Sequence, residues 1–381
     1  MIFNLIIPVY NRLTALQRLM HTLEQAHITA PLNLVISCDS GSAANVVQFA
    51  KEYNWKYGQY EVLVQEQQLG VDAHNLACMR LAKELGNVVI LEDDLTVAPH
   101  FQQYLDSMEV LANDESGIAG ISLYRYPMVE KNRFPFELIP NNEFLYYQQR
   151  PSSKGCFYTW DMLEPYFVFL DNFQNDFGKY HLPTNVRLWG DEVWEKSFYC
   201  YLQSAKKYLA FPRFSLSTDF ADVGVHMKKQ TTKYAHQSAL YLGTEFDKPK
   251  SLTDTDNVYD AFYELSPTVL VKYCKEISSY DFELDIYGDK SLDKCQKMYL
   301  ISSKECKNRI LGWDRRLKPE INNVLLNLVG DQYALGKKDD FRPEIPRSLK
   351  EDFLYYYPDT KLSDLIWMKI NEVLSRFFRS T

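Results

Sequence analysis

The sequence predicts an α/β fold built on a doubly wound, mostly parallel sheet, and three observations carry that expectation. Its 381 residues suffice for two or three domains around a sizeable core. The first hundred residues alternate four times between a short apolar run and a stretch with apolar residues at helical spacing. Each apolar run ends in a polar loop, and a sheet wound this way gathers such loops at one edge, where ligands bind.

Phe3 to Ile7 is a strand-length apolar run, Pro8 to Arg12 a loop, and Leu13, Leu16, Leu19, Met20 and Leu23 recur on one helix face. The unit repeats as Leu32 to Ser37, the loop CDSGS, and a helix holding Val46, Val47, Phe49 and Ala50. Tyr60 to Val64 is the third strand, and QEQQLG leads into a helix with Leu76, Met79 and Leu81. The fourth, Asn87 to Leu91, is rich in β-branched residues and ends in Glu92, Asp93 and Asp94; Pro99 then opens a helix through Leu111. From about Ile118 to Tyr241 the pattern is less regular and rich in aromatics, which predicts mixed strands and helices. The polar stretch Asp247 to Asn257 reads as a linker. Beyond it the chain reads as mainly helical, with short strands near Phe282 to Tyr287 and Met298 to Ile301. The expected organisation is two halves of one domain, 1–120 and 121–246, followed by a mainly helical C-terminal extension, 258–381.

Composition narrows the function. Forty-two basic residues against fifty acidic ones give a net charge of -8, which argues against nucleic acid as a partner held by phosphate neutralisation. Seven cysteines without a C-x-x-C pair point to free thiols in a reducing compartment. The start, MIFNLIIPVY, lacks a charged segment with a cleavage site, and no run of about 20 apolar residues occurs, so the expectation is a cytoplasmic protein.

The loop edge of the predicted sheet carries Asn11, Arg12, Asp39, Ser40 and the acidic triplet, a set suited to hydroxyls, phosphates or a metal. Three adjacent carboxylates repel one another unless a cation or donors compensate them. In an extended segment Glu92 and Asp94 face one way and Asp93 the other, which assigns Asp94 to a divalent ion and Asp93 to ligand hydroxyls. A solvated acidic loop capping the next helix is the competing reading.

IIPVYNR, CDSGS, QQLGVDAHN and VVILEDDL occur in the order seen in nucleotide-sugar-dependent glycosyltransferases of the GT-A fold, and the chain resembles that family over roughly residues 1 to 240. It is most similar to the inverting branch that includes the N-acetylglucosaminyltransferase I type and bacterial enzymes of surface-polysaccharide synthesis. The resemblance implies that Pro8, Tyr10, Asn11 and Arg12 contact the nucleotide and that Asp39 accepts the uracil N–H. Gly70 and Asn75 would brace the crevice, Asp93 would hold the ribose, and Asp94 would bind Mn2+ (or Mg2+) bridging the diphosphate of a UDP-sugar. WGDEVWEKSF resembles the family's Trp-Asp-Asp-Trp segment, with Gly190 in place of the first Asp and one inserted residue, which makes Asp191 the expected catalytic base and Glu192 its reserve. The competing reading is a helix start with acids favoured by its dipole. FPRFSLSTDFADVGVHMKK resembles the segment that closes over the donor, with His226 turned to the metal or diphosphate.

The activity so implied is transfer of a sugar, GlcNAc by the nearest resemblance, from a UDP-sugar to a hydroxyl of a glycan or lipid-linked glycan. Nucleotidyl transfer would want a Gly-rich basic loop where this chain has PVYNR. A non-enzymatic carbohydrate-binding or scaffold protein would not require the acid triplet together with Asp191. A retaining mechanism is open as well, because the fold hosts both outcomes. Leu362 to Phe378 reads as an amphipathic helix that docks on the protein or makes peripheral membrane contact.

Overall fold

The computed structural model describes residues 1–133, 135–220, 222–223, 237–343, 349–359, 361, 363–364, 366–367 and 369–370. The four expected strands are present as β1 (Phe3–Val9), β2 (Leu32–Cys38), β3 (Tyr60–Val64) and β4 (Asn87–Ile90). Helices Leu13–Gln25, Ala44–Glu52 and Val71–Arg80 follow the first three, and Phe101–Ser107 follows the short β5 (Leu95–Val97). The irregular middle supplies β6 (Ile118–Ser122), β7 (Leu145–Gln148), β8 (Cys156–Thr159), β9 (Tyr208–Pro212) and β10 (Ser217–Asp219), and β11 (Val258–Tyr259) comes next.

One sheet runs in the order β11-β7-β9-β6-β8-β4-β1-β2-β3. It is parallel from β4 through β3 and again between β6 and β9, and antiparallel where β8 and β7 enter. Alternation along β1 explains the double winding. Leu5 and Ile7 join Leu16, Leu19 and Ile36 in the core on one face, while Ile6 joins Val35, Val88 and Ile90 on the other. Burying each of these Leu or Ile side chains contributes roughly 1.5–3 kcal/mol. The pairing register sets the edge: Val9 lies opposite Cys38, and Leu91 N–H donates to Ile6 O at 2.9 Å. The residues after β1, β2 and β4 therefore emerge together.

Two expectations need correction. The C-terminal region is organised by a second sheet, order β12-β13-β15-β14, made of β12 (Phe282–Asp285), β13 (Tyr299–Ser302), β14 (Leu311–Trp313) and β15 (Tyr333–Lys337). Its described helices are short, among them Pro267–Tyr273, Asn322–Leu325 and Leu349–Tyr356. β12 and β13 fall where short strands were expected, whereas β14 and β15 repeat a two-residue period too few times to register as a pattern. The stretch Asp247 to Asn257 is likewise no free linker. Asn257 is buried, Tyr147 Oη donates to Lys250 O at 2.5 Å, and β11 pairs with β7 directly afterwards. Most of the expected C-terminal helix lies outside the described residues. Among those described, no helix is long and apolar enough to cross a membrane.

Candidate active site

Three loops meet at the carboxyl edge of β1, β2 and β3, and Asp39 fastens them. Its Oδ1 accepts the N–H groups of Ser40 and Leu69 and its Oδ2 that of Gly70, each at 2.9 Å. Asp39 is itself buried. Gly70 stands at φ +78°, a left-handed conformation that favours glycine, and this turn starts helix Val71–Arg80. Tyr10 joins the same frame: its carbonyl accepts Ala43 N–H at 2.8 Å and its hydroxyl accepts Gln68 Nε2 at 3.1 Å.

The acidic triplet follows β4. Asp93 and Asp94 are both buried, and the Arg12 guanidinium forks across them, with Nη1 donating to Asp94 Oδ2 at 2.6 Å and Nη2 donating to Asp93 Oδ1. Burial works against the charge of Arg12, but Asp93 and Asp94 outweigh it and hold the guanidinium more firmly protonated than usual. Asp94 Oδ1 is buried with no hydrogen-bond partner. Burial, and then the adjacent Asp94, push the Glu92 carboxyl up to about 8, opposed by Lys154. One guanidinium therefore serves two buried carboxylates and leaves an oxygen bare, a cradle in which a divalent cation fits.

Lys154 and the helix Trp194–Ala205 form the opposite wall. Lys154 pairs with Asp219. Burial disfavours the Lys154 ammonium, yet Asp219 and then Glu92 raise its pKa. The helix has no side-chain cap of its own; Asp72, in the first turn of helix Val71–Arg80, accepts Trp194 N–H at 3.0 Å through Oδ1. This seats Glu195 beside Ser153, to which it is hydrogen-bonded, and within electrostatic reach of Glu92. Burial chiefly pushes the Glu195 carboxyl up to about 7.

The structure brings Arg12, Asp93 and Asp94 into contact and frames them with Tyr10, Asp39 and Gly70. Pro8 lies in β1 opposite Ser37, and Asn11 is exposed beside Arg12. Asn75 is buried and donates to Val71 O at 3.0 Å, within its own helix. Asp191 and Glu192 are exposed, and Asp191 Oδ1 accepts Lys196 Nζ at 2.7 Å. His226 lies outside the described residues. Glu195 escaped the sequence reading, although a signal existed. It shares an i, i+4, i+7 stripe with Tyr199 and Leu202, both fully buried, and a carboxylate on an apolar stripe marks a residue held there for a reason. Lys154 left no such signal, because its partner lies 65 residues away.

Two other features fall outside this crevice. A cavity of about 410 Å3 lies at the outer edge of the sheet against Glu143, Phe144, Tyr147 and Thr255. His181, Glu283 and Cys295 place donor atoms within 4.8 Å of one another, but these are engaged: His181 Nε2 accepts Ser291 N–H, and Glu283 Oε1 accepts two backbone N–H groups.

Residues 4–169, which hold β1 to β8 and most of these side chains, match the family model Glycosyl transferase family 2. The match takes in β1 to β8 and stops before β9 and the second sheet. No curated protein matches the chain by sequence. Solved structures similar to it include residues 1–349 of S. aureus TarS in complex with UDP-GlcNAc, at 14% identity and a TM-score of 0.38, covering 61% of this chain and 62% of that one. GalNAc-T7 with UDP, GalNAc and Mn2+ is similar at 12% identity and a TM-score of 0.37, over 55% of this chain and 42% of that one. The mannosyltransferase PcManGT from Pyrobaculum calidifontis, in complex with GDP-Man and Mn2+, is similar at 12% identity and a TM-score of 0.31, over 42% and 45%. The chain thus spans about three fifths of the length of the first TarS structures it matches.

Proposed function

We propose that this chain transfers a sugar from a UDP-sugar to a hydroxyl of a glycan or lipid-linked glycan, with inversion at the anomeric carbon and with Mn2+ or Mg2+ as cofactor. The observation that carries this reading is the buried Asp93–Asp94 pair under Arg12, with Asp94 Oδ1 bare, at the mouth of a glycosyltransferase domain. Asp94 offers the hard oxygen donors such a cation prefers. When bound there, the cation neutralises charge on the departing nucleoside diphosphate. Asp94 would hold it, His226 is a further ligand on resemblance alone, and Asp93 would take the ribose hydroxyls. Asp39 Oδ2 receives a single N–H from the protein and retains a lone pair for the uracil N–H. Arg12, Tyr10, Asn11 and Pro8 line the nucleotide side.

The base belongs to the segment around Trp194. Asp191 and Glu192 face solvent, and Glu195, half-buried in the same segment and hydrogen-bonded to Ser153, is the base of this reading. In the transfer, the acceptor hydroxyl gives its proton to Glu195, its oxygen bonds to the anomeric carbon, and the bond from that carbon to the diphosphate oxygen breaks, releasing UDP. GlcNAc as the donor sugar and surface-polysaccharide synthesis in the cytoplasm, with peripheral membrane contact through the C-terminal segment, rest on the resemblance in the sequence.

The test is a binding and donor-hydrolysis screen of UDP-, GDP- and CMP-sugars, with and without Mn2+, on the wild type and Asp94→Ala. Cation-dependent binding of one UDP-sugar, weakened at least about tenfold in Asp94→Ala, is the expected result. Absence of nucleotide binding under any metal would overturn the reading and leave a glycan-binding or scaffold role.

A further inference from the structure

We propose that Arg12 is an internal counter-ion that occupies the acidic pair until a nucleoside diphosphate arrives, so that Asp94 captures a divalent cation only together with that diphosphate. The inference rests on the donor-site reading above and adds the order in which the site is filled.

The guanidinium already stands where a cation's charge is wanted. It donates one N–H to each aspartate, and both aspartates are buried. A divalent ion approaching Asp94 therefore meets a positive group at contact distance, with only Oδ1 of Asp94 still bare. The Arg12 backbone is fixed, because its carbonyl accepts Leu16 N–H at 3.0 Å and begins helix Leu13–Gln25. The side chain is about a quarter exposed, so it can swing on a rigid base.

A diphosphate supplies what such a swing needs. Its oxygens accept the planar fork of an arginine as well as two carboxylates do. As Arg12 passes to the phosphate oxygens, Asp93 and Asp94 lose their compensation together. Asp94, released from the guanidinium and with the buried Asp93 charge beside it, then binds a cation far better than before. Because coupling between two ligands is reciprocal, the cation must tighten the diphosphate by the same factor.

The experiment measures Mn2+ binding to the full chain without nucleotide, by the EPR signal of free Mn2+, and then UDP binding with and without Mn2+ by calorimetry. For Arg12→Met the expected outcome is a pair of opposite changes. Nucleotide-free Mn2+ affinity rises about tenfold, a common size for such couplings, while UDP affinity falls and the mutual tightening of Mn2+ and UDP shrinks. Arg12→Lys keeps the charge and loses the fork, so it should lie between the two, and it serves if the methionine variant fails to fold. Unchanged or weaker nucleotide-free Mn2+ binding in both variants, with Mn2+ and UDP still bound by the wild type, would overturn the proposal and leave the donor-site reading intact. A wild type that binds neither Mn2+ nor UDP would overturn the donor-site reading and the proposal with it.

Discussion

Asp39 holds the entrance of the site with a carboxylate that is mostly spent on its own protein. Its Oδ1 takes two backbone N–H groups and its Oδ2 one, which ties the loop after β3 to the loop after β2. Asp39→Asn turns one acceptor into an N–H group facing another N–H. We expect thermal denaturation to show a loss of roughly 1–3 kcal/mol, and calorimetry to show weaker UDP binding. Glu195 lends itself to a pH test. Burial raises its carboxyl to about 7; its own backbone N–H, Ser153 and Arg150 oppose the rise, Asp72 adds to it, and Glu92, Tyr158, Tyr166 and Tyr199 also face it. An acid whose pKa is raised by folding keeps its proton longer in the folded chain. Stability then falls as pH rises from the unfolded value of about 4.3 to the folded one near 7. A base, by contrast, must be ionised, so turnover should climb through the same pH range. In Glu195→Gln we expect turnover to drop by about 10²–10⁴ with the limb near pH 7 gone, and melting temperatures to fall less steeply between pH 5 and 7 than in the wild type. Arg12, Asp93 and Asp94 were legible in the sequence because each ends or follows a strand in an unbroken motif. Glu195 was not, because the inserted residue in WGDEVWE shifted attention to acids that face water.

At the scale of elements, the helix Trp194–Ala205 is set by a residue from another helix. Asp72 accepts Trp194 N–H in place of a local cap. Asp72→Ala should cost about 0.5–2 kcal/mol in thermal melts. It should also lower kcat more than it raises the KM for the donor, since it loosens the wall that carries Glu195 and leaves the wall that carries Arg12. The same cross-chain logic decides what could be read beforehand. β1, β2 and β4 are buried on both faces, and runs such as Leu5, Ile6 and Ile7 announce themselves whatever their neighbours. The insertion of β8 between β4 and β6 depends on pairings such as Val89 with Phe157, which no local pattern reveals. The phase of the helix that bears Glu195 is likewise fixed by what packs on Trp194 and Phe198.

At the scale of the molecule, the two sheets share one core. Tyr259 and Tyr263 from the segment around β11 belong to the same apolar cluster as Leu284, Ile301, Trp313 and Leu335 of the second sheet. Polar ties cross the joint as well: Lys131 Nζ donates to Gly288 O at 2.6 Å, Thr184 Oγ1 to Asp289 Oδ1 at 2.6 Å, and Lys294 Nζ to Gly178 O at 2.5 Å. We therefore expect calorimetry to show a single cooperative unfolding transition; two resolved transitions would contradict a shared core. The boundary expected at 246 to 258 was misplaced for the same reason, since polar composition marks exposure and says nothing of a strand that follows at once. That strand is short but consequential. Asn257 O and Tyr259 O accept the outward N–H groups of Tyr147 and Gln149, and so satisfy the rim of the large sheet. A chain cut ahead of Asn257 would leave β7 with bare amides beside Leu145, Tyr146 and Tyr147, a sticky template for another copy of itself. Two residues more than a hundred positions further along the chain thus close the open rim of the large sheet.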